Sequence, residues 1–194
     1  LDRWLNVKKG SVYNQSNISD RINGTSGAQD AVSSAYQDNG YLFSRLTPVE
    51  ARVEDDSIDL EIRIYEGEQA YLNNIIVSGN TRTNEHIARR ELYTLPGDLF
   101  SKDKILRSIR QLGVIGHFDP EKIDPNVVPD PANGTVDLLY KLEERANDQF
   151  EISGGWGAGM LIGTIGLRFN NFAMRNFLKL REWRPYPSGD GQSL

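Results

Sequence analysis

The residues that could carry chemistry in this chain are two histidines, two acidic clusters and a run of closely spaced glycines. His86 and His117 are the only histidines, and they lie far apart with no metal-ligand spacing around either. Residues 54–56 and 124–130 could bind calcium loosely, but neither stretch has the spacing of an EF-hand loop. We therefore predict surface or boundary histidines and solvated turns, with no catalytic residue, no metal site and no cofactor.

The glycines Gly155, Gly157 and Gly159 alternate with other residues in a way that could suggest phosphate binding. They fall inside a strand pattern and open no helix, so we exclude a phosphate site. The absence of cysteine excludes disulfide frameworks, thiol catalysis and cysteine-ligated zinc. The sequence also has no G-x-S-x-G nucleophile elbow, and we predict that the chain is not an enzyme.

The net charge of −5 argues against nucleic acid as a partner of the whole chain. Among the acidic residues, Glu66 and Glu144 occupy equivalent positions of an internal repeat. Two roles stay open for this pair. They are either salt-bridge partners at the junctions between modules or plain turn carboxylates.

The elements that must position any functional surface come in an imperfect internal repeat. Residues 7–13 align with residues 94–100, and residues 58–66 align with residues 136–144. A repeated order of helix, helix, strand and strand indicates two copies of one small module. We predict an α+β fold with two tandem β-α-α-β-β modules. The first module lacks its opening strand, and we expect the chain to be cut from a longer one.

The pattern within each copy predicts individual elements. The first copy has a helix ending near residue 7, a helical stretch over residues 16–37 interrupted at residues 23–27, and strands over residues 41–53 and 58–65. The second copy has a strand over residues 71–78, a helix from Thr83 to about Leu95, a helix capped by Ser101, a strand over residues 117–123, a proline-containing loop over residues 124–133 and a closing strand over residues 136–144.

After residue 149 the sequence alternates between apolar and small or polar residues. The predicted apolar face contains Phe150, Ile152, Gly154, Trp156, Ala158 and Met160. This run has eleven residues, and a membrane-crossing strand needs about 9–11. A second alternating run over residues 161–169 is predicted to pair with it through a glycine-rich turn. Alternation alone also fits a ribbon on a soluble core, but the many glycines favour the coiled sheet of a barrel.

The stretch E-G-E-Q-A-Y-L-N-N-I-I-V-S-G-N-T-R-T at residues 66–83, followed by P-G-D-L-F-S at residues 96–101, resembles a POTRA domain. POTRA domains are the polypeptide-transport-associated modules that precede an outer-membrane barrel. Two such modules, then a glycine-rich strand and R-F-N-N-F at residues 168–172, are similar to the BamA family of barrel-assembly factors. W-R-P-Y-P-S-G-D-G-Q at residues 183–192 resembles the variant found in Bacteroidetes-type members.

The resemblance covers nearly the whole chain, and it implies assembly and insertion of β-barrel proteins into the bacterial outer membrane. Residues 1–68 would form a POTRA module lacking its first strand, and residues 69–146 a complete one. Both modules would lie in the periplasm. Residues 147–194 would form the first strands of a transmembrane antiparallel β-barrel, which is incomplete here. The implied partners are unfolded outer-membrane protein substrates, accessory outer-membrane lipoproteins and the lipid bilayer.

In this family the second strand of each module is an edge to which an extended substrate chain can add. The implied edge residues are Tyr41, Phe43, Arg45, His117 and Phe118. The opening barrel strand is the other implied template, with seam and lipid-facing residues Phe150, Ile152, Gly154, Trp156 and Met160. Two alternatives share the same modules: a two-partner-type export pore for one substrate, and the barrel domain of a fused lipid hydrolase.

Overall fold

The computed structural model describes residues 2–5, 7–24, 31–145, 148–157, 159–183 and 186–193. The helices are α1 (Asp2–Leu5), α2 (Gln15–Asn23), α3 (Val32–Asp38), α4 (Glu85–Arg89) and α5 (Lys102–Val114). The strands are β1 (Arg45–Glu54), β2 (Ser57–Tyr65), β3 (Tyr71–Ser78), β4 (Asp124–Asp130), β5 (Thr135–Lys141), β6 (Gln149–Gly157) and β7 (Met160–Arg168). Within these residues the strands form three sheets, of orders β1-β2, β3-β5-β4 and β6-β7.

The described chain divides into two compact units. The first unit contains Leu1–Asn74, Thr94–Ile105 and Val127–Leu138. The second unit contains Ile75–Tyr93, Leu106–Asn126 and Leu139–Leu194. No helix of the described residues is both long and apolar enough to span a bilayer.

The first repeat packs its helices on the sheet β1-β2. Its buried core consists of Leu5, Ile18, Ile22, Val32 and Leu46. The predicted aliphatic face of β2 is confirmed, because Leu60, Ile62 and Ile64 pack against this core. The predicted break in the long helical stretch is confirmed at Gly24, which ends α2 with a φ of +67°. Residues 25–27 of that break lie outside the described residues.

β1 and β2 pair antiparallel from Arg45 opposite Tyr65 to Glu54 opposite Ser57, with a register shift between Glu50 and Arg52. The prediction of a strand from residue 41 is therefore wrong at its start. Gly40 has a φ of +88°, and the Ser44 N–H donates to the Tyr41 carbonyl at 3.2 Å. The chain makes this turn first and becomes extended only at Arg45.

β3 has the predicted bounds, but its buried residues Leu72 and Ile75 are three positions apart instead of two. Asp137 contacts the two residues between them. Its Oδ1 accepts both the Asn73 side-chain amide at 3.0 Å and the Asn74 backbone N–H at 2.9 Å. One carboxylate oxygen thus accepts hydrogen bonds from two successive residues of β3.

The predictions for residues 117–133 are wrong in position. Residues 120–122 form a 3₁₀ turn, capped by Asp119, whose carboxylate accepts the Glu121 N–H at 3.2 Å. The strand follows as β4, in the segment that we expected to be a loop because of its prolines. Proline is tolerated in an edge strand, and β4 is at the edge of its sheet.

In the second repeat, the first helix differs from prediction at both ends. The N-cap position of α4 is Asn84 and not the predicted Thr83, and the Asn84 side chain makes no cap hydrogen bond. The helix ends at Arg89, well before Leu95. The Tyr93 N–H donates to the Ser108 hydroxyl at 2.8 Å instead of continuing a helix. The predicted cap of α5 is confirmed, because Ser101 Oγ accepts the Lys104 N–H at 3.3 Å.

Candidate functional site

The strand-edge residues expected in the first repeat lie at the start of β1. Tyr41 and Phe43 are half-buried in the turn before the strand, and Arg45 is its exposed first residue. Beside β1 lies a groove of about 640 Å³ between this strand and α2. Its lining includes Tyr13, Ile18, Asp20, Pro48, Glu50 and Leu60. The Tyr13 hydroxyl donates to the Glu50 carboxylate at 2.6 Å.

The edge residues expected in the second repeat are buried. His117 is 8% exposed and Phe118 is 0% exposed. Their backbones already have partners, because Phe118 forms a bridge with Glu144 and the His117 carbonyl accepts the Arg145 N–H at 2.9 Å. Of the two strands that follow the helices of this repeat, β4 is the one at an edge of the sheet.

The hairpin β6-β7 presents one apolar face made of cross-strand pairs. Phe150 lies opposite Leu167, and Ile152 lies opposite Ile165. These four side chains are exposed, as is Trp156, with Ile152 at 71% and Trp156 at 79%. Gly154 lies opposite Gly163 in the same face. The predicted pairing of the two runs is confirmed, and the apolar face has no cover within the described residues.

Met160 is on the opposite face, which corrects the sequence-based assignment. The chain reverses after Gly157, and Met160 pairs with Gly157. It therefore shares the face of Ser153 and Thr164, whose hydroxyls contact each other across the strands. Ala158, which we had placed on the apolar face, lies outside the described residues.

The hairpin itself does not require glycine at its central positions. A Cβ added at Gly155 would meet no atom within 4 Å, and one at Gly154 would meet only the Ile162 carbonyl oxygen, at 3.9 Å. Neither residue has a positive φ. Because the two glycines have no side chain that projects from β6, another chain could approach the strand closely there.

A second cluster surrounds the carboxylate of Glu144, just after β5. Glu144 accepts the backbone N–H of Arg82 at 2.8 Å, that of Thr83 at 2.5 Å and the Thr81 hydroxyl at 2.7 Å. Burial alone would raise the pKa of Glu144, but these hydrogen bonds outweigh it and lower the pKa. Glu144 is thus the acceptor for a turn, whereas Glu66 accepts the Tyr36 hydroxyl at 3.3 Å.

Arg82 links this turn to the segment after the hairpin. Its guanidinium donates to the Tyr186 hydroxyl at 2.9 Å and lies 5.3 Å from the centroid of that ring. The Tyr186 hydroxyl donates to Asp148 at 2.6 Å. Burial and the Asp148 carboxylate raise the pKa of Tyr186 to about 12, although Arg82 opposes the shift.

Further contacts fix the same segment. Asn84 donates through its side chain to Asp190 at 2.8 Å, and Asn171 donates to the Thr83 hydroxyl at 2.9 Å. Sequence analysis missed this junction, because its partners are 106 and 88 positions apart and share no local motif. The equivalence of Glu66 and Glu144 in the repeat was the one available signal.

The two histidines differ in their burial. His86 is exposed in α4 and His117 is buried. Burial lowers the pKa of His117, and the nearby Arg90 charge lowers it further against the opposing charge of Glu144. Among the residues that the structure describes, no group of three or more acidic or histidine side chains could hold a metal ion.

Comparison with known proteins identifies both repeats. The POTRA family, described as "Surface antigen variable number repeat", matches residues 1–67 and again residues 70–145. The chain is 30% identical over 182 residues to a "Putative outer membrane protein assembly factor" of Treponema pallidum, covering 92% of this chain and 20% of that protein. It is 27% identical over 214 residues to "Outer membrane protein assembly factor BamA" of Neisseria meningitidis, covering 100% of this chain and 25% of that protein.

Two solved structures share the fold. A crystal structure of BamA from Haemophilus ducreyi lacking POTRA domains 1–3 matches with a TM-score of 0.64 at 22% identity, over 92% of this chain and 32% of that chain. POTRA domains 3–5 of Haemophilus influenzae BamA match with a TM-score of 0.60 at 18% identity, over 74% and 54%. The chain spans about a fifth to a quarter of the length of the two relatives above.

Proposed function

This chain belongs to the POTRA family, and on that premise we propose that it takes part in assembling β-barrel proteins into the bacterial outer membrane. The relatives named as outer membrane protein assembly factors support this proposal, since the match to one of them extends over the whole chain. The domain limits that we propose are residues 1–68 and 69–146 for the modules and residues 147–194 for the opening barrel strands.

The observation that carries the proposal is the hairpin that follows the second module. Its face of Phe150, Ile152, Trp156, Ile165 and Leu167 is apolar, exposed and made of cross-strand pairs. A strand of β6's length that alternates apolar and small or polar residues suits one wall of a barrel in lipid. We propose that the bilayer covers this face and that the opposite face, with Ser153 and Thr164, is directed to the barrel interior.

Substrate chains would be received at two kinds of strand edge. In the modules the proposed receiving edge begins at Arg45, after Tyr41 and Phe43. His117 and Phe118 of the second module are buried and receive no strand in this proposal, and the edge strand of that module is β4. In the barrel, the proposed template is β6, whose outer edge has no partner strand in the described part of the chain. The open space at Gly154 and Gly155 supports close approach of an incoming strand.

The proposed partners are unfolded outer-membrane proteins, accessory outer-membrane lipoproteins and the bilayer, with the modules in the periplasm. The proposed role requires binding and templating of substrate strands and no catalytic group. We therefore propose that the protein is not an enzyme. None of the relatives named above tests the Bacteroidetes-type resemblance of residues 183–192, which stays a prediction.

Photocrosslinking in living cells tests the template. A crosslinking amino acid is placed in turn at Glu151, Ser153 and Gly155 of β6, in the protein as the cell makes it. We expect capture of newly made outer-membrane proteins at these positions and none at the exposed Lys141 of β5. If none of these three positions captures a substrate barrel, the proposed role of β6 is wrong.

A further inference from the structure

β4 is an edge strand that contains two prolines, Pro125 and Pro129. β5 covers one side of β4, and no other strand of the described residues pairs with its second side. Residues two apart in a strand direct their backbone groups to the same side, so Pro125, Val127 and Pro129 share one side. Proline has no N–H to donate there.

The behaviour of proline in strands assigns both prolines to the open side of β4. A proline directed at β5 would remove a hydrogen bond from the ladder, yet β4 is a continuous strand over Asp124–Asp130. Prolines inside strands are confined to sheet edges, with their nitrogen toward solvent. Of the three residues on the open side, Val127 alone can therefore donate an N–H to an added strand.

The corresponding strand of the first module, β1, is more open. Pro48 pairs with Ile62 inside an uninterrupted run of the ladder, so its nitrogen faces away from β2. Leu46 and Glu50 are two positions on either side, and their N–H groups point the same way. The groove of about 640 Å³ lies along this strand and has room for side chains of an added segment.

We propose that extended substrate chains add to β1 and that Pro125 and Pro129 close β4 to them. The inference rests on the proposed function, and it assigns the receiving edge to one of the two modules. A chain laid along β4 would lack two hydrogen bonds and would meet the proline rings at both positions. Two missing hydrogen bonds correspond to about a tenfold loss of occupancy or more.

Photocrosslinking with a defined peptide separates the two edges. p-Benzoylphenylalanine replaces exposed Thr47 on β1 or exposed Asn126 on β4 in the full chain. The probe is a labelled peptide with the sequence of β7, M-L-I-G-T-I-G-L-R, which alternates like a barrel strand. We expect capture at Thr47 and about tenfold less capture at Asn126.

Restoring the missing donors provides the decisive variant. Pro125→Val with Pro129→Val returns two N–H groups to the open side, and we expect capture at Asn126 to rise about tenfold. Pro131→Ala is the matched control, because Pro131 lies in the turn after β4, and capture at Asn126 should stay unchanged. Circular dichroism checks the fold of the double variant, and Pro125→Val alone, with a smaller rise, replaces it if that variant unfolds.

The outcomes separate the inference from the function on which it rests. Equal capture at Thr47 and Asn126 in the natural sequence would overturn the closure of β4 and leave strand addition to the modules standing. Capture at neither position would overturn both. An unchanged Asn126 signal in a folded double variant would also refute the role of the prolines.

Discussion

The carboxylate of Asp38 at the end of α3 accepts the backbone N–H of Asp103 in the first turn of α5, at 2.7 Å. This contact joins the two POTRA repeats. It is accompanied by a hydrogen bond from the Ala70 N–H to the Gly40 carbonyl at 2.8 Å. A carboxylate at a helix N-terminus satisfies a free N–H group and complements the helix dipole. The end of one module thus caps a helix of the next.

Replacing Asp38 tests this joint. We expect Asp38→Ala to lower the free energy of unfolding by about 0.5–2 kcal/mol, because the Asp103 N–H loses its acceptor. Asp38→Asn keeps an acceptor and should cost less. Asp56→Ala, in the exposed turn between β1 and β2, is the control, and urea unfolding of the full chain is the measurement. Equal effects of Asp38→Ala and Asp56→Ala would contradict the cap.

Glu144→Ala should destabilise the chain by about 1–3 kcal/mol, since it leaves the partly buried N–H groups of Arg82 and Thr83 without an acceptor. The adjacent Glu143→Ala breaks only an exposed ion pair with Lys122, which is worth about 0–1 kcal/mol. Denaturant midpoints of the two variants provide the comparison. A larger loss from Glu143→Ala would refute the role of Glu144.

The lowered pKa of Glu144 predicts that the free energy of unfolding decreases at acidic pH. The pKa of Glu144 is lowered in the folded chain, so its contribution is complete above its ordinary value of 4.5 and is lost as pH falls through the folded value. The stability difference between the natural protein and Glu144→Gln should therefore shrink on acidification. A difference that stays constant down to the acid transition would contradict this linkage.

The raised pKa of Tyr186 predicts that the free energy of unfolding decreases at alkaline pH. Its pKa rises from 10.0 to about 12 on folding, so the stability that it contributes is present below pH 10 and is lost as pH rises from 10 toward 12. Tyr186→Phe should remove one late-ionising phenol from the ultraviolet titration. Tyr93→Phe, at an exposed tyrosine, serves as the control. Identical late titrations for the two variants would refute the assignment.

Two glycines separate backbone strain from a steric clash. Gly79 and Gly97 have φ values of +91° and +88°. A Cβ at Gly79 would lie 1.9 Å from the Leu142 carbonyl oxygen, whereas one at Gly97 would meet nothing within 4 Å. We expect Gly97→Ala to cost about 1–2 kcal/mol from conformation alone, and Gly79→Ala to cost clearly more. Thermal unfolding of both variants is the measurement, and equal costs would contradict a clash with the Leu142 carbonyl.

A charge on the apolar face of the hairpin tests the proposed lipid contact. Ile152→Lys should cost about 2–4 kcal/mol if this face is near the middle of a bilayer. Ser153→Lys places the same charge on the opposite face and should be tolerated better. The measurement is the share of protein recovered in the membrane fraction of cells. Equal recovery of both variants would argue against lipid at Ile152.

Alternation and repeats predicted most of the fold, because they report local periodicity. β3 was placed at its observed bounds, and the faces of β2 and β6 followed from period 2. β4 was missed, since Pro125 and Pro129 look like a loop until the edge position of the strand is known. Met160 was placed on the wrong face because the reversal after Gly157 changes the alternation.

The junction around Glu144 could not be predicted in the same way. Arg82 and Tyr186 meet only after the chain has passed through α4, α5 and the four strands β4 to β7. No spacing in the sequence encodes that approach. Contacts of this kind depend on how a whole module closes, and a single sequence carries little information about it.

The hairpin β6-β7 is a two-stranded ribbon whose side chains are exposed within the described residues, and a ribbon of two strands is only marginally stable alone in water. The modules have cores of their own and can finish folding before this ribbon does. During biogenesis we expect the hairpin to fold last, when other strands pair with it. In detergent-free buffer we therefore expect the protein to aggregate through the exposed Trp156 and Ile152 and not through the modules.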